Sequence, residues 1–354
     1  MNDALSQEPR VPLTQRRTAG EWGVLGVACP SCRGTLADSD GPTLSCTACD
    51  KRFPVTCGIP DLRTLGDPYL ATADDESAAR ALVARDGARD FGSLYASYYE
   101  GNAKVSPEQV VRFTHGVLAA ADRAEATVDT WRELGGDLPG DGLVLDIGSG
   151  TAPLGVSLAA RGQRVIAIDA GLRWLVLARK RAAEKGIDLP VVCANAEMLP
   201  LRDASAAAIV GESVLENLAD VDAALAELRR VVPAHALLAL TTPNRHSLGP
   251  DPHLGLLAGG WRSEATLREH AARTGQVMPR RHLFTPRELV RALHRAGFDS
   301  VRTALPRFAD AQRAGLPLPV NLAIGGYHTA RRIPVLNSIV LQVAPTIAVV
   351  ARSA

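Results

Sequence analysis

Gly142-Leu143-Val144-Leu145-Asp146-Ile147-Gly148-Ser149-Gly150-Thr151-Ala152-Pro153 is the stretch that decides the fold. Leu143 to Ile147 is a short, almost wholly apolar run, the pattern of a strand buried on both faces. It ends in a Gly-Ser-Gly turn, and Pro153 then opens an apolar helix that Gly162 stops. Strand, glycine turn and helix form the first unit of an alternating α/β sheet. The glycines let the backbone approach a ligand closely while free N–H groups face it. The ligand would lie beyond the carboxyl end of the strand, where open parallel sheets bind.

The chain repeats this pattern downstream. Arg164 to Ile168 reads as a second strand ending in Asp169, and Pro190 to Cys193 as a third, running into ANAEMLPLRD at 194–203. A dinucleotide site would want G-x-G-x-x-G, but its third position falls on Pro153. Dinucleotide folds also do not require an acid such as Asp146 before the loop. Both features suit a cofactor without a pyrophosphate. An adenosyl sulfonium needs close backbone approach at its methionine part, and an acid such as Asp169 for its ribose hydroxyls.

Five ordered segments carry a resemblance: VLDIGSGTA at 144–152, Asp169, ANAEMLPLRD, VLENL at 214–218, and RRVVPAHALLAL followed by TTPN at 229–244. Together they resemble the class I S-adenosylmethionine-dependent methyltransferases of the small-molecule type. The resemblance implies an α/β fold, a doubly wound, seven-stranded Rossmann-like sheet whose final strand is antiparallel. It implies that Gly148 and Gly150 cradle the methionyl part, that Asp146 orients their loop, and that Asp169 holds the ribose. Asn195 stands where the family usually has an Asp contacting the adenine amino group, and its side-chain oxygen is expected to accept that hydrogen bond. Ala196 is expected to offer its backbone N–H to the ring, and Glu212 to face the methyl-transfer cleft. Three departures stand out: Ala207 for the usual Asp at the head of the fourth strand, Asn217 for the His after "vlE", and Pro233-Ala234-His235 for the "PGG" turn.

Ahead of this core, Cys29-Pro-Ser-Cys32 and Cys46-Thr-Ala-Cys49 frame a polar loop of 13 residues. Two C-x-x-C knuckles can close a tetrahedral shell on one Zn²⁺ and leave no open position for a catalytic water, so the expected metal is structural. The run from Cys29 through Phe53-Pro54-Val55 to Gly58-Ile59-Pro60 resembles the small zinc-ribbon family that activates tRNA and protein methyltransferases. Cys57, where that family usually has an acid, is expected to be a packed thiol rather than a fifth ligand.

Residues 67–137 carry helix signals. An acidic start at Asp74-Asp75-Glu76 and a cap at Ser106-Pro107-Glu108 each open a helix. Between them, Tyr98 and Tyr99 pack the cap onto the core or, alternatively, line a substrate mouth. After Asn244 a long insertion carries His253 and His282, the candidate general bases for a hydroxyl acceptor. Phe284-Thr285-Pro286 then opens a helix, and strands near 300–305 and 346–351 close the sheet. The expected division is therefore a disordered tail at 1–22, a Cys₄ ribbon at 23–66, a helical cap at 67–137 and a cofactor core at 138–245. A substrate-lid insertion at 246–283 and a C-terminal completion at 284–354 follow.

A formal net charge of +1 argues against a broad basic surface for nucleic acid. No apolar run reaches the roughly 18 to 20 residues of a membrane helix, and the first residues lack a secretory core. The expected partner is thus a small-molecule methyl acceptor in the cytoplasm, with no membrane or nucleic-acid partner and a homodimer left open. The expected reaction is O-methylation of a specialised metabolite or glycan precursor, using S-adenosyl-L-methionine beside a structural Zn²⁺. The alternative is an RNA methyltransferase whose ribbon grips nucleic acid.

Overall fold

The computed structural model describes residues 12–67, 69–100, 105–249, 251, 254–274, 278, 280–309 and 318–354. The N-terminal segment holds helix α1 (Ala19–Val24), the short strands β1 (Leu36–Ser39), β2 (Thr43–Cys46), β3 (Arg52–Thr56) and β4 (Ile59–Pro60), and the cysteine knuckles. The helices α2 (Thr72–Arg85), α3 (Phe91–Ser97), α4 (Pro107–Leu118) and α5 (Ala120–Glu133) form the cap. The core follows as β5 (Leu143–Ile147), α6 (Pro153–Ala160), β6 (Arg164–Asp169), α7 (Leu172–Ala183), β7 (Val191–Cys193), β8 (Ala208–Glu212), α8 (Val221–Arg230) and β9 (Leu237–Pro243). Helices α9 (Glu264–Thr274) and α10 (Pro286–Arg295) precede β10 (Phe298–Ala304). A helical pair, α11 (Leu318–Arg332) and α12 (Pro334–Leu341), precedes β11 (Thr346–Ser353).

The seven-stranded sheet has the order β10-β11-β9-β8-β5-β6-β7. Only β11 runs against the rest, pairing antiparallel with both β9 and β10. The doubly wound sheet and its antiparallel final strand thus match the expectation from sequence. Alternation within the strands explains why the sheet is covered on both sides. Leu143, Leu145 and Ile147 of β5 join one apolar cluster with Ile166, Ile168, Leu238 and Leu240. Val144 joins the opposite cluster with Val165, Ala167, Ala239 and the cap residues Leu94, Val128 and Trp131. The Trp131 indole N–H donates to the Leu240 carbonyl at 3.3 Å.

Register brings the functional ends together. Ile147 pairs with Ile168, Asp146 with Val210, and Glu212 with Thr241. The carboxyl ends of β5, β6 and β8 therefore open on one edge, carrying the glycine turn, Asp169 and Glu212.

The four-cysteine segment covers the β7 edge of the sheet. Asp61 bridges Cys193, the Leu62 amide donates to the Cys193 carbonyl at 2.8 Å, and Val27 bridges Leu201. An exposed strand edge invites pairing with another chain, and here the ribbon fills it. The apolar interior of the ribbon, Leu36, Leu44, Phe53 and Val55, belongs to the same cluster as the sheet. The expected disordered tail at 1–22 needs correction. Leu13 and Trp22 are buried, and Thr18 and Glu21 form a capping box at the start of α1, so order begins before residue 22. Residues 1–11 lie outside the described residues. The pair α11–α12, inserted between the last two strands, was not anticipated from the sequence.

One buried carboxylate ties the parts together. Asp75 in α2 is fully buried and accepts from the Leu172 and Arg173 amides at 2.8 and 3.2 Å. Gly171 gives α7 no side-chain cap, so Asp75 supplies it from another helix. Its oxygens also take the Arg63 and Arg173 guanidinium groups, each at 2.7 Å. Arg63 is further paired with Asp61 at 2.5 Å, and Arg173 with Asp67 at 2.7 Å. Replacing Asp75→Ala strips α7 of its cap and leaves two buried cations short of a partner. The expected loss is about 3 kcal/mol of folding stability, read as a lower denaturant midpoint at unchanged slope.

Candidate functional site

The glycine turn sits between two cavities. The first, of 250 Å³, is lined by Gly148, Gly150, Asp169, Gly171, Trp174, Asn195, Ala196 and Glu197, and by Leu65, Gly66, Asp67 and Tyr69 from the tail of the ribbon. The second, of 590 Å³, is lined by Asp146, Ser149, Thr151, Glu212 and Thr241, by cap residues of α4 and α5, and by Phe308 and Tyr327. Both cavities touch Gly148, Gly150 and Ser213. A ligand that reaches from one to the other must therefore cross the glycine turn.

The turn is held by two carboxylates. Asp146 accepts from the Gly155 amide at 2.8 Å, which fixes the start of α6 against β5. Burial pushes the Asp146 carboxyl well above its usual range, and that amide acts against the shift. Asp169 accepts from the Gly150 and Gly171 amides at 2.8 and 2.7 Å, and burial raises its carboxyl too. Gly150 has φ +53° and open space where a Cβ would stand, so the backbone is bare toward the cavities. Ala152, two residues on, is also left-handed, at φ +48°. The buried Ser149 hydroxyl has no partner in the protein, a donor left free beside the second cavity.

The residues expected to bind a cofactor converge, with two changes of role. Asp169, Gly148, Gly150, Asn195 and Ala196 all line the first cavity. Glu212 lines only the second, where Thr127 donates to its Oε1 at 2.7 Å. The Asn195 oxygen already accepts two backbone amides, those of Thr64 and Leu65, at 3.0 and 2.9 Å. Both of its lone pairs are thus used, and only the amide NH₂ is left for a ligand. The expected acceptor role of this oxygen toward an adenine amino group gives way to anchoring the ribbon tail. Asn217, the second amide departure, accepts from the Tyr69 hydroxyl and donates to the Ser213 carbonyl at 3.0 Å. In the Pro233-Ala234-His235 turn, His235 takes the left-handed conformation, at φ +65°.

The expected histidine bases find no support here. His253 lies outside the described residues. His282 is exposed, its backbone amide donates to the Glu216 carbonyl at 3.1 Å, and its side chain lines neither cavity. Among the described residues, no histidine lines either cavity. Tyr98 packs against Trp174 of the core helix α7 and Tyr99 against Phe113 of the cap, so the pair joins the cap to the core. It is Tyr95, stacked on Trp174 at 6.2 Å, that reaches the second cavity. Glu216 was missed in the sequence. It is buried, and burial raises its carboxyl to about 7, with the Thr242 hydroxyl 3.5 Å away. Its signal was an acid set among the apolar Val214, Leu215 and Leu218.

The four cysteines Cys29, Cys32, Cys46 and Cys49 place their sulfurs within 4.8 Å of one another. Two pairs stand 3.7 and 3.4 Å apart, close to the roughly 3.8 Å edge of a tetrahedron built on 2.3 Å zinc–sulfur bonds. Each knuckle closes alike: Arg33 and Asp50, directly after the second cysteine, are left-handed and donate to the carbonyls of Cys29 and Cys46 at 2.8 and 3.1 Å. A Cβ on Gly34 would fall 2.9 Å from the Cys46 sulfur, so only glycine fits against the cluster. Cys57 is not part of it.

Residues 145–240 match the methyltransferase domain family. The chain is 39% identical over 101 residues to a demethylmenaquinone methyltransferase of Thermobifida fusca, covering 28% of this chain and 42% of that protein. It is 28% identical over 221 residues to a ubiquinone biosynthesis O-methyltransferase of Chelativorans sp., covering 62% and 83%. A solved structure from Thermotoga maritima, described as a possible histamine N-methyltransferase, aligns with a TM-score of 0.43 at 18% identity over 70% of this chain and 94% of its own. The chain spans less than half the length of the first two curated relatives, 42% and 47%. The glycine turn, the acid at the end of β6 and the family match agree, and the segment 145–240 belongs to the class I S-adenosylmethionine-dependent methyltransferase domains.

Proposed function

We propose that this chain is an S-adenosylmethionine-dependent methyltransferase acting on a small molecule, with transfer to a hydroxyl oxygen of a specialised metabolite or glycan precursor. One observation carries the reading: two cavities meet at Gly148, Gly150 and Ser213, with Asp169 at the first and Glu212 at the second. When bound, S-adenosylmethionine supplies an electrophilic sulfonium methyl and leaves as the neutral thioether. Asp169 would take the ribose hydroxyls, Trp174 and Ile168 would flank the adenosine, and the bare glycine turn would admit the methionyl part. The acceptor in the second cavity would form its new oxygen–carbon bond in line with the breaking carbon–sulfur bond. Holding the two reactants so aligned can account for about 7 to 11 kcal/mol of the barrier. Glu212, fixed by Thr127, is the carboxylate placed to take the hydroxyl proton.

The four thiolates would hold a structural Zn²⁺ with no open position. Of the ribbon's basic residues, Arg33 pairs with Glu227 at 3.1 Å, and Lys51 donates to the Ser31 hydroxyl at 2.8 Å. The ribbon instead turns inward, giving Leu65, Gly66, Asp67 and Tyr69 to the wall of the first cavity.

Three outcomes follow from this reading. Calorimetry should show S-adenosylhomocysteine binding, weakened at least about 100-fold in Asp169→Ala, which loses the ribose acceptor and frees Gly150; binding of NAD in its place would sink the reading. Stripping zinc with a chelator should weaken S-adenosylhomocysteine binding about tenfold or more, since the cavity wall hangs on the ribbon; unchanged affinity would disprove that coupling. With a hydroxyl acceptor in hand, Glu212→Gln should cut kcat by about 10² or more while the affinity for S-adenosylhomocysteine holds.

A further inference from the structure

The second cavity is lined by groups of three kinds. Its floor, by the glycine turn, carries the carboxylates Asp146 and Glu212, each already engaged, by the Gly155 amide and the Thr127 hydroxyl. Its walls are the aromatic rings of Tyr95, Phe113, Phe308 and Tyr327. Its third component is basic: Arg112 from α4, Arg123 from α5 and Arg307 after β10.

These arginines are not alike. Arg307 is neutralised, lying 3.6 Å from Asp129 and 3.4 Å from Glu133. Arg112 and Arg123 meet no acidic partner among the described residues; the contact recorded for Arg112 is with the Phe113 ring, 5.6 Å from its centroid. A third cation stands behind them. Arg181 is buried against the Phe91 ring at 4.0 Å and donates to the Thr151 carbonyl at 3.0 Å. Burial, reinforced by the neighbouring Arg123, holds its guanidinium down to about 10. The lining of this aromatic-walled cavity therefore includes two arginines without an acidic partner among the described residues, with a third cation behind them. Guanidinium groups bind carboxylate and phosphate through paired N–H donors, and an aromatic-lined wall shields such bonds from water.

We propose that Arg112 and Arg123 form an anion clamp, and that the acceptor is an aromatic or otherwise apolar molecule bearing a carboxylate or phosphate. The clamp holds the anion between α4 and α5 and leaves the hydroxyl free to meet Glu212. This assignment rests on the methyl-transfer reading of the same cavity. The clamp itself transfers no proton and breaks no bond; Arg112 and Arg123 are positioning residues.

The test is calorimetry on the full-length, zinc-loaded chain with three para-hydroxyphenyl probes: 4-hydroxybenzoate, 4-hydroxyphenyl phosphate and the neutral 4-hydroxybenzyl alcohol. The expected result is that at least one anion binds about tenfold or more tighter than the alcohol, its choice telling carboxylate from phosphate. That preference should vanish in the double variant Arg112→Gln/Arg123→Gln and return in part in Arg112→Lys/Arg123→Lys. Arg112 is exposed and Arg123 half-buried, and neither carries a salt bridge among the described residues, so the melting temperature should hold and separate lost binding from lost fold. Equal binding of the alcohol and the anions, no anion binding at millimolar concentration, or an anion preference that survives the double glutamine variant overturns the proposal. S-adenosylhomocysteine is titrated separately. Its failure to bind strikes the methyl-transfer reading, whereas loss of the anion preference alone strikes only the clamp.

Discussion

The buried Asp75 carboxylate is the point through which the ribbon, the cap and the sheet are joined. It belongs to the cap by sequence, caps the first turn of a core helix, and receives Arg63 from the ribbon tail. Arg173, which it also holds, lines the first cavity together with Asp67. Each charge in this cluster is desolvated, so each is stable only with its partners in place. Burial acts to depress the Arg63 guanidinium, and Asp61 with Asp75 more than reverses that, keeping it charged. The first cavity thus takes part of its wall, Asp67 and Arg173, from an ion cluster assembled from three successive segments of the chain, and the sheet supplies only part of it.

This explains why the sheet and the glycine turn were legible in the sequence while the cavity wall was not. Apolar runs at 143–147 and 164–168, the Gly-Ser-Gly turn and Asp169 are local signals, each readable over a few residues. Asp75 and Arg63 are 12 positions apart, and Leu172 is a further 97 from Asp75; nothing local marks them as partners. The C-x-x-C pairs predict a four-sulfur cluster, yet no residue in them announces that the following strand will cover β7. The helices α11 and α12 were hidden for a different reason. Their apolar residues, such as Leu322, Val335 and Ile339, stay exposed, so the sequence there lacks the one-sided stripe that marks a helix packed on a core.

The chemistry of the second cavity was read only in part, and the histidines show why. His253 and His282 were singled out by composition, because an insertion rich in histidine suggests acid–base work. Composition does not say which way a side chain faces, and His282 turns outward, with only its backbone engaged near the site. Glu212, by contrast, is placed by register: its pairing with Thr241 sets it at the strand end, and Thr127 of the cap fixes one oxygen. A side chain fixed by a strand and a helix is held more definitely than one on a long loop.

The two asparagines serve the same wall. Asn195 and Asn217 both stand where similar chains carry a residue that can bear charge, and in isolation each reads as a weakened site. In this structure both amides face the same segment. Asn195 takes the Thr64 and Leu65 amides, and Asn217 takes the Tyr69 hydroxyl. An amide oxygen accepts two N–H groups without placing a fourth carboxylate near Asp169, Asp67 and Glu197, which line the same cavity. A carboxylate at 195 would add like charge to that set, and an imidazole at 217 would offer Tyr69 a different acceptor geometry. The departures from the family pattern therefore fall where the ribbon tail enters the cavity, and they fit a chain that builds part of that cavity's wall from its own N-terminal module.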